Sequence, residues 1–344
     1  VLKMLEEIGL PNLDTLGEFI FTRTAAAVTE RLAALPKGSW TNDMLTDGYD
    51  EPVRLQAKVT ISDDGVLVDF DGSSGMSTWG INCPMIYTKA YASYAIKCVV
   101  APDIPNNSAS LAAFDVTSPV NIVNAERPAP VSVRHVIGHM VPDVVLGALA
   151  QALPGQVQAE GAGALWNIHI SARPAAGQQG RRAEVLMFNS GGMGARPMLD
   201  GLGATAFPSG VHTMPIEATE HTGPIIIWRK ALRPDSGGDG EMRGGLGQII
   251  EIAAMEGHEF DFSAMFDRVC TPARGRDGGQ DGASGRVELD DGTVMRPKGW
   301  QHVPAGRRLI LQAPGGGGFG DPARRSNEAR SDDVLKGYVT GGEK

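Results

Sequence analysis

Glycine runs crowd the second half of the chain: Ser190-Gly191-Gly192-Met193-Gly194-Ala195-Arg196-Pro197, Arg233-Pro234-Asp235-Ser236-Gly237-Gly238-Asp239-Gly240 and Pro314-Gly315-Gly316-Gly317-Gly318-Phe319-Gly320-Asp321-Pro322. Glycine loses more conformational freedom on folding than any other residue, so runs like these persist only where φ must be positive or a backbone must pass close to another group. They are too short to be linkers and read as shaped loops. None is a phosphate-cradling P-loop, because Lys-Ser/Thr does not follow the last glycine. A dinucleotide fingerprint needs a helix opening on the glycines, and Asp321-Pro322 bars one after the third run. That third run follows a strand-like stretch, Arg308-Leu309-Ile310-Leu311-Gln312, and reads as a packing or interface turn. The first follows strand-like Ala183 to Asn189 and is either a plain turn or a ligand loop. In the ligand reading, backbone donors of Gly191, Gly192 and Gly194, with Asn189, Ser190 and Arg196, would hold an anionic group.

The 344 residues can bury a substantial core, as one large or two closely joined domains. A formal charge of -9, with no basic cluster interleaved with aromatics, argues against a nucleic-acid groove. No apolar stretch approaches the roughly 20 residues of a membrane span. Cys83, Cys98 and Cys270 are odd in number and form no CxxC pair, so neither a disulfide framework nor a zinc knuckle is indicated, and a reducing cytoplasm is expected. The chain opens at Val1 on a helix-like segment with no secretory signal, and further sequence is expected upstream.

Leu16, Ile20, Ala27, Val28, Leu32 and Leu35 recur at helical spacing until Pro36-Lys37-Gly38. Residues 53 to 61 alternate strictly, Val53, Leu55, Ala57, Val59 and Ile61 against Arg54, Gln56, Lys58 and Thr60, which predicts a half-buried strand. Ser62-Asp63-Asp64-Gly65 turns it back into Val66, Val68 and Phe70, a β-hairpin. Tyr87, Tyr91, Tyr94, Ala95 and Cys98 share one helical face, and a second helix is expected from Asp143 to Leu153. Beyond Pro154 short strands dominate, at 183–189, 224–228, 247–253, 260–266 and 306–312. The class is α+β: an α+β region at 1–155, a β-rich region with glycine loops at 156–325, and a charged tail at 326–344.

The constellation closest to a catalytic site is Arg134-His135-Val136-Ile137-Gly138-His139-Met140-Val141-Pro142-Asp143. His135, His139 and Asp143 follow one another at i, i+4 intervals, a spacing able to ligate a metal on one helix face. Gly138 and Pro142 interrupt such a helix, and Asp143 stands where it can cap the next one. His135 can instead orient substrate or transfer a proton, or serve structurally. Glu160, in Ala159-Glu160-Gly161-Ala162-Gly163, is a general base if buried near the histidines and a solvated turn residue otherwise. The His212 to His221 stretch, with Glu217 and Glu220, is similarly ambiguous.

Taken in order, Asn82-Cys83-Pro84, the Pro102–Asn107 loop, Pro128-Ala129-Pro130-Val131, Gly147 to Pro154, Gly192 to Pro197, Leu232 to Gly238 and Gly315 to Pro322 resemble the hydantoinase B/oxoprolinase family. Each motif is weak alone; seven in one order span nearly the whole chain. The resemblance implies an ATP-dependent, cytoplasmic, hetero-oligomeric enzyme of two stages. A hydantoinase A-type partner uses ATP and Mg²⁺ to phosphorylate the carbonyl or enol oxygen of a small-molecule substrate. The B-type subunit then completes hydrolysis of a hydantoin, oxoproline or lactam, or, in acetone and acetophenone carboxylases, carboxylation. The family's metal ligands lie in an N-terminal portion that Val1 follows, so the divalent metal is expected there and no ligand is named in this chain. A non-catalytic scaffold, and a self-contained metal hydrolase using His135, His139 and Asp143, are the alternatives.

Overall fold

In a computed structural model, residues 1–163 and 165–341 are described. Helix α1 (Leu2–Ile8) ends on Gly9, and α2 (Asp14–Ala33) buries Thr24, Val28 and Leu32. Three antiparallel strands follow, β1 (Gly38–Thr46), β2 (Val53–Ile61) and β3 (Val66–Asp69), with the β2–β3 hairpin in the register its alternation predicts, Val59 opposite Val68 and Ile61 opposite Val66. Every second residue of β2 is buried and the rest face water, so the period of two sorts its side chains onto two faces. Helix α3 (Met85–Val100), the single turn α4 (Ser108–Leu111) and β4 (Phe114–Thr117) complete the unit; β4 adds parallel to β3. The sheet order is β1-β2-β3-β4.

The next segment breaks where Gly138 and Pro142 say it should: α5 (His135–Gly138) is one turn, and α6 (Val141–Ala152) starts afresh with its proline in the first turn, where a missing N–H costs nothing. Helices α3 and α6 close the first core over the sheet, with Leu55, Val59, Phe70, Ile96, Ile137 and Val145 fully buried.

Two further sheets form the second core. Strands β5 (Leu165–Pro174) and β6 (Ala183–Ser190) come first, then α7 (Ile216–Glu220), β7 (Ile225–Leu232), β8 (Gln248–Ala254), β9 (His258–Met265), β10 (Arg286–Leu289), β11 (Lys298–Val303) and β12 (Arg308–Gln312). They assemble as β10-β12-β8-β7 and β11-β9-β5-β6, and Trp166, Ile168, Ile252, Phe260, Phe262 and Leu311 from the two inward faces share one core. Strands β1, β4, β5, β10 and β11 add to those expected from the sequence. The charged segment expected as a tail from residue 326 instead forms α8 (Asn327–Leu335), after a 3₁₀ turn at Pro322–Arg324; residues 342–344 of it lie outside the described residues.

The glycine runs form threads, of which 191–195 and 314–320 are buried throughout. Residues 159–163, 191–195, 237–247, 273–283 and 314–320 run side by side, joined by bonds between backbones: Gly192 N–H donates to Pro314 O (2.9 Å), Gly245 N–H to Met193 O (2.8 Å), Gly316 N–H to Gly245 O (2.9 Å), Gly238 N–H to Gly316 O (2.9 Å), Ala195 N–H to Gly317 O (2.9 Å) and Gly318 N–H to Gln280 O (2.8 Å). Gly192, Gly244 and Gly316 have no positive φ. Space is what requires glycine there: a Cβ at any of the three would come closer than 3.0 Å to a carbonyl oxygen of a neighbouring thread.

Candidate functional site

The sequence-predicted residues separate into two groups. His135, His139, Asp143 and Glu160 meet at the seam between the two cores. The loop residues from Asn189 to Arg196 run beside the Glu160 thread, with Gly192 O accepting from Ala162 N–H and Ala195 O from Ala159 N–H, each at 2.8 Å.

At the seam, one helical turn sets the His135 and His139 rings 5.8 Å apart between centroids, with Tyr91 packed 5.5 Å from His139. His135 is half-buried, and its Nε2 lies 3.1 Å from Nδ2 of Asn167 on β5. With that amide donating, the proton of the ring sits on Nδ1. Burial, reinforced by the Arg134 charge, lowers the pKa of His135 to about 4; burial and His135 lower that of His139, which bonds the Gly163 backbone, to about 3. Both rings are neutral at pH 7, and both tie α5 to the chain entering β5.

Behind the histidines, Asp143 and Glu160 are each 1% exposed. Arg268, equally buried, lies 3.5 Å from Asp143 and 3.2 Å from Glu160 through Nη2; Arg274 meets Glu160 at 2.5 Å through Nη2 and 2.6 Å through Nε, and its backbone N–H donates to the same carboxylate at 3.1 Å. Burial alone would raise both acids. It dominates at Asp143, pushed up to about 7; at Glu160 the charges of Arg268 and Arg274 outweigh it, and the pKa falls below the usual value. Glu160 is thus an ion-paired interior residue, in contrast to a solvated turn glutamate. As a carboxylate held by two guanidinium groups it is a poor proton acceptor.

Arg268 was invisible to sequence patterning, since its partners stand more than a hundred residues away. It adopts φ +64°, a left-handed conformation that costs a non-glycine residue energy and persists only where the surroundings enforce it. Asp47, just past β1, does so by accepting N–H bonds from Val269 (2.8 Å), Cys270 (3.1 Å) and Thr271 (2.9 Å). Asp267 is fixed by Thr46 (2.8 Å) and Lys298 (2.7 Å).

The loop after β6 engages part of the donor set expected to hold an anion. Ser190 donates its N–H to the Gln248 side chain (3.2 Å), Gly192 to Pro314, and Asn189 its Nδ2 to Trp166 O (3.3 Å). Asn189, Ser190, Gly191, Gly192 and Gly194 are all buried, and Arg196 turns its Nη2 onto Asp200 O (2.8 Å). The N–H groups of Ser190 and Gly192 are thus engaged within the protein, and those of Gly191 and Gly194 donate to no neighbouring thread among the described residues. Among the described residues no three His, Cys, Asp or Glu side chains converge as a metal site, so His135, His139 and Asp143 do not fit the ligand-trio alternative.

A family model for hydantoinase B/oxoprolinase matches residues 1–322. A protein described as the B-type component of a D-/L-hydantoinase in Pseudomonas sp. (strain NS671) is 30% identical over 98% of this chain and 60% of its own length, and 5-oxoprolinase 1 of Arabidopsis thaliana is 27% identical over 92% of this chain and 25% of its own. Two solved structures share the fold: an ATP-dependent caprolactamase from Pseudomonas jessenii (TM-score 0.81, 23% identity, 98% of this chain and 61% of that one) and a nucleotide-free acetone carboxylase (TM-score 0.79, 17% identity, 92% and 49%). The chain therefore spans less than two thirds of the length of each.

Proposed function

The chain belongs to the hydantoinase B/oxoprolinase family, and from that premise we propose that it is the C-terminal portion of a B-type subunit of an ATP-dependent amidohydrolase. It completes hydrolysis of a cyclic amide, a hydantoin, oxoproline or lactam, after an A-type partner has phosphorylated it with ATP and Mg²⁺. An amide carbonyl is a poor electrophile because nitrogen donates into it; phosphate on the oxygen makes that oxygen a leaving group for attacking water. In this reading the divalent metal is held by a portion of the subunit other than the described residues.

The observation that carries the proposal is the state of His135: half-buried, neutral, and fixed by Asn167 at the seam. A neutral imidazole held in one tautomer is a directed N–H donor, able to steady charge on a reacting oxygen without bringing charge of its own. His139 and the Asp143–Arg268–Glu160 array act through packing, holding α5 in place. Replacing His135 with alanine in the assembled enzyme is expected to lower turnover by about 10²-fold or more, with the mass of the complex and its melting temperature nearly unchanged. Equal loss of stability and activity would mark His135 as structural. Wild-type-like turnover in an intact complex would favour a scaffold role for the whole chain. The fold is shared with an acetone carboxylase, which supports a second reading, a ketone carboxylase component; dependence of product formation on bicarbonate separates the two.

A further inference from the structure

The end of the chain is attached differently from the rest. Among the described residues none beyond Ala313 belongs to either core, and in α8 only Asp333 is buried, while Val334 and Leu335 face solvent at 53% and 84% exposure. The attachment is ionic. Asp333 receives Arg243 Nε at 3.1 Å and Arg325 Nε at 2.9 Å; Arg325 also grips Asp200 with both Nη atoms at 2.8 Å, and Arg324 meets Glu241 at 3.2 Å. Farther along, Asp235 donates its N–H to Tyr338 O (3.0 Å) and accepts the N–H of Thr340 (2.9 Å) and its hydroxyl, and the Arg243 guanidinium lies over the Tyr338 ring. Between this segment and the threads at 237–240 and 280–283 is a cavity of about 730 Å³.

We propose that Pro322–Thr340 is an ion-latched strap that opens as a unit, uncovering the cavity at the edge of the glycine threads while both cores stay folded. Charge pairing makes such opening feasible. Removing one member of a buried pair strands the other at high cost, but here each side keeps a partner: Arg243 retains Asp200, already 3.9 Å away, and Arg325 leaves with Asp333, 2.8 Å away. No apolar core is exposed, so the opening free energy lies well below that of global unfolding. It separates charges into water, where salt screens them over a length that shrinks to about 3 Å at 1 M.

Hydrogen exchange of the full chain at roughly 0.05 M and about 1 M salt tests the proposal. The amides of Asp235 and Thr340, whose bonds cross the junction, are expected to exchange about tenfold faster at high salt, with β8 and β12 unchanged. In Asp333→Asn, of similar volume but uncharged, the same amides are expected to be faster at low salt already and to respond less to further salt than in the wild type, because only the Arg325–Asp200 and Arg324–Glu241 pairs still cross the junction. Thr340→Ala, which removes the hydroxyl bond to Asp235 but no ion pair, is expected to accelerate the amides of Asp235 and residue 340 less than Asp333→Asn does. Strap amides that exchange as slowly as β8 at both salts would overturn the proposal. So would acceleration spread evenly over the whole chain in both variants.

Discussion

The first core and the glycine threads are two answers to the same requirement, a rigid interior. In the first, Leu55, Val59, Ile96 and Val145 interdigitate across a sheet and two helices, and the polar backbone is satisfied within each element. In the second there are almost no side chains to pack; threads from 159 to 320 lie close enough for each backbone to bond the next. A side-chain core tolerates a lost methyl group at the cost of a cavity. Where two threads cross most closely, at Gly192, Gly244 and Gly316, no methyl group can be added, because a Cβ meets a carbonyl oxygen of the neighbouring thread. Rigidity built from backbone is therefore specified by the absence of side chains.

Substituting Gly192 with alanine tests that contrast most severely. Its Cβ would meet the Gly245 carbonyl, whose oxygen accepts from Gly316, so one substitution displaces two threads. A loss of more than about 4 kcal/mol is expected in denaturant unfolding, above the usual range for point mutants. A loss below about 1 kcal/mol would mean that the threads can part without penalty, and the contrast would fail.

The seam that joins the two regions gives an intermediate effect, read through pH. His135 and His139 have pKa values depressed from 6.5 to about 4 and about 3, so their contribution is fully present above pH 6.5 and is lost as pH falls and the unfolded chain binds protons that the folded chain refuses. Asp143, raised from 3.8 to about 7, works in the opposite sense, its contribution fading as pH rises through that range. Below pH 6.5 the unfolded state gains two protons at the histidines while the folded state keeps one extra at Asp143. The histidines outnumber Asp143, so stability is expected to fall on acidification towards pH 5, by on the order of 1 kcal/mol per pH unit. Denaturant unfolding across that interval measures the slope, and a flat profile would show that the histidines are not held neutral.

The smallest effect is expected at Gly155, a glycine of the other kind. Its φ is +74° and a Cβ there meets nothing within 4 Å, so alanine strains only its own backbone. A cost of about 1 kcal/mol is expected from thermal or denaturant melting, several-fold below that of Gly192→Ala. Equal costs at the two sites would erase the distinction between room and conformation.

What could be read from the sequence follows the same division. Strand β2, the hairpin and helices α2, α3 and α6 were legible because burial on one face imposes a period of 2 or 3.6 on apolar residues. Strand β1 was not, since Gly38-Ser39-Trp40-Thr41-Asn42-Asp43 is mostly polar and is held by its register with β2. The glycine runs were recognisable as shaped loops, but a cradle for an anion and a thread in a bundle make the same demand for space. The difference lies in where the amides find partners, in loops some 50 to 120 residues distant, as the Gly245 amide finds Met193 and the Gly192 amide finds Pro314. His135, His139 and Asp143 were found by spacing. Asn167, Asp47, Arg268 and Arg274 were not, because long-range ion pairs and hydrogen bonds leave no periodic trace.

The role assigned to His135 is tested most directly by the ratio of ATP consumed to product formed in the assembled enzyme carrying His135→Ala, with the complex's mass measured in parallel. If this chain acts after phosphorylation, ATP consumption is expected to persist within a few-fold while product falls, so the ratio rises by about 10²-fold. If both activities fall together in an intact complex and the ratio stays at its wild-type value, the second-stage role of the His135 seam is wrong.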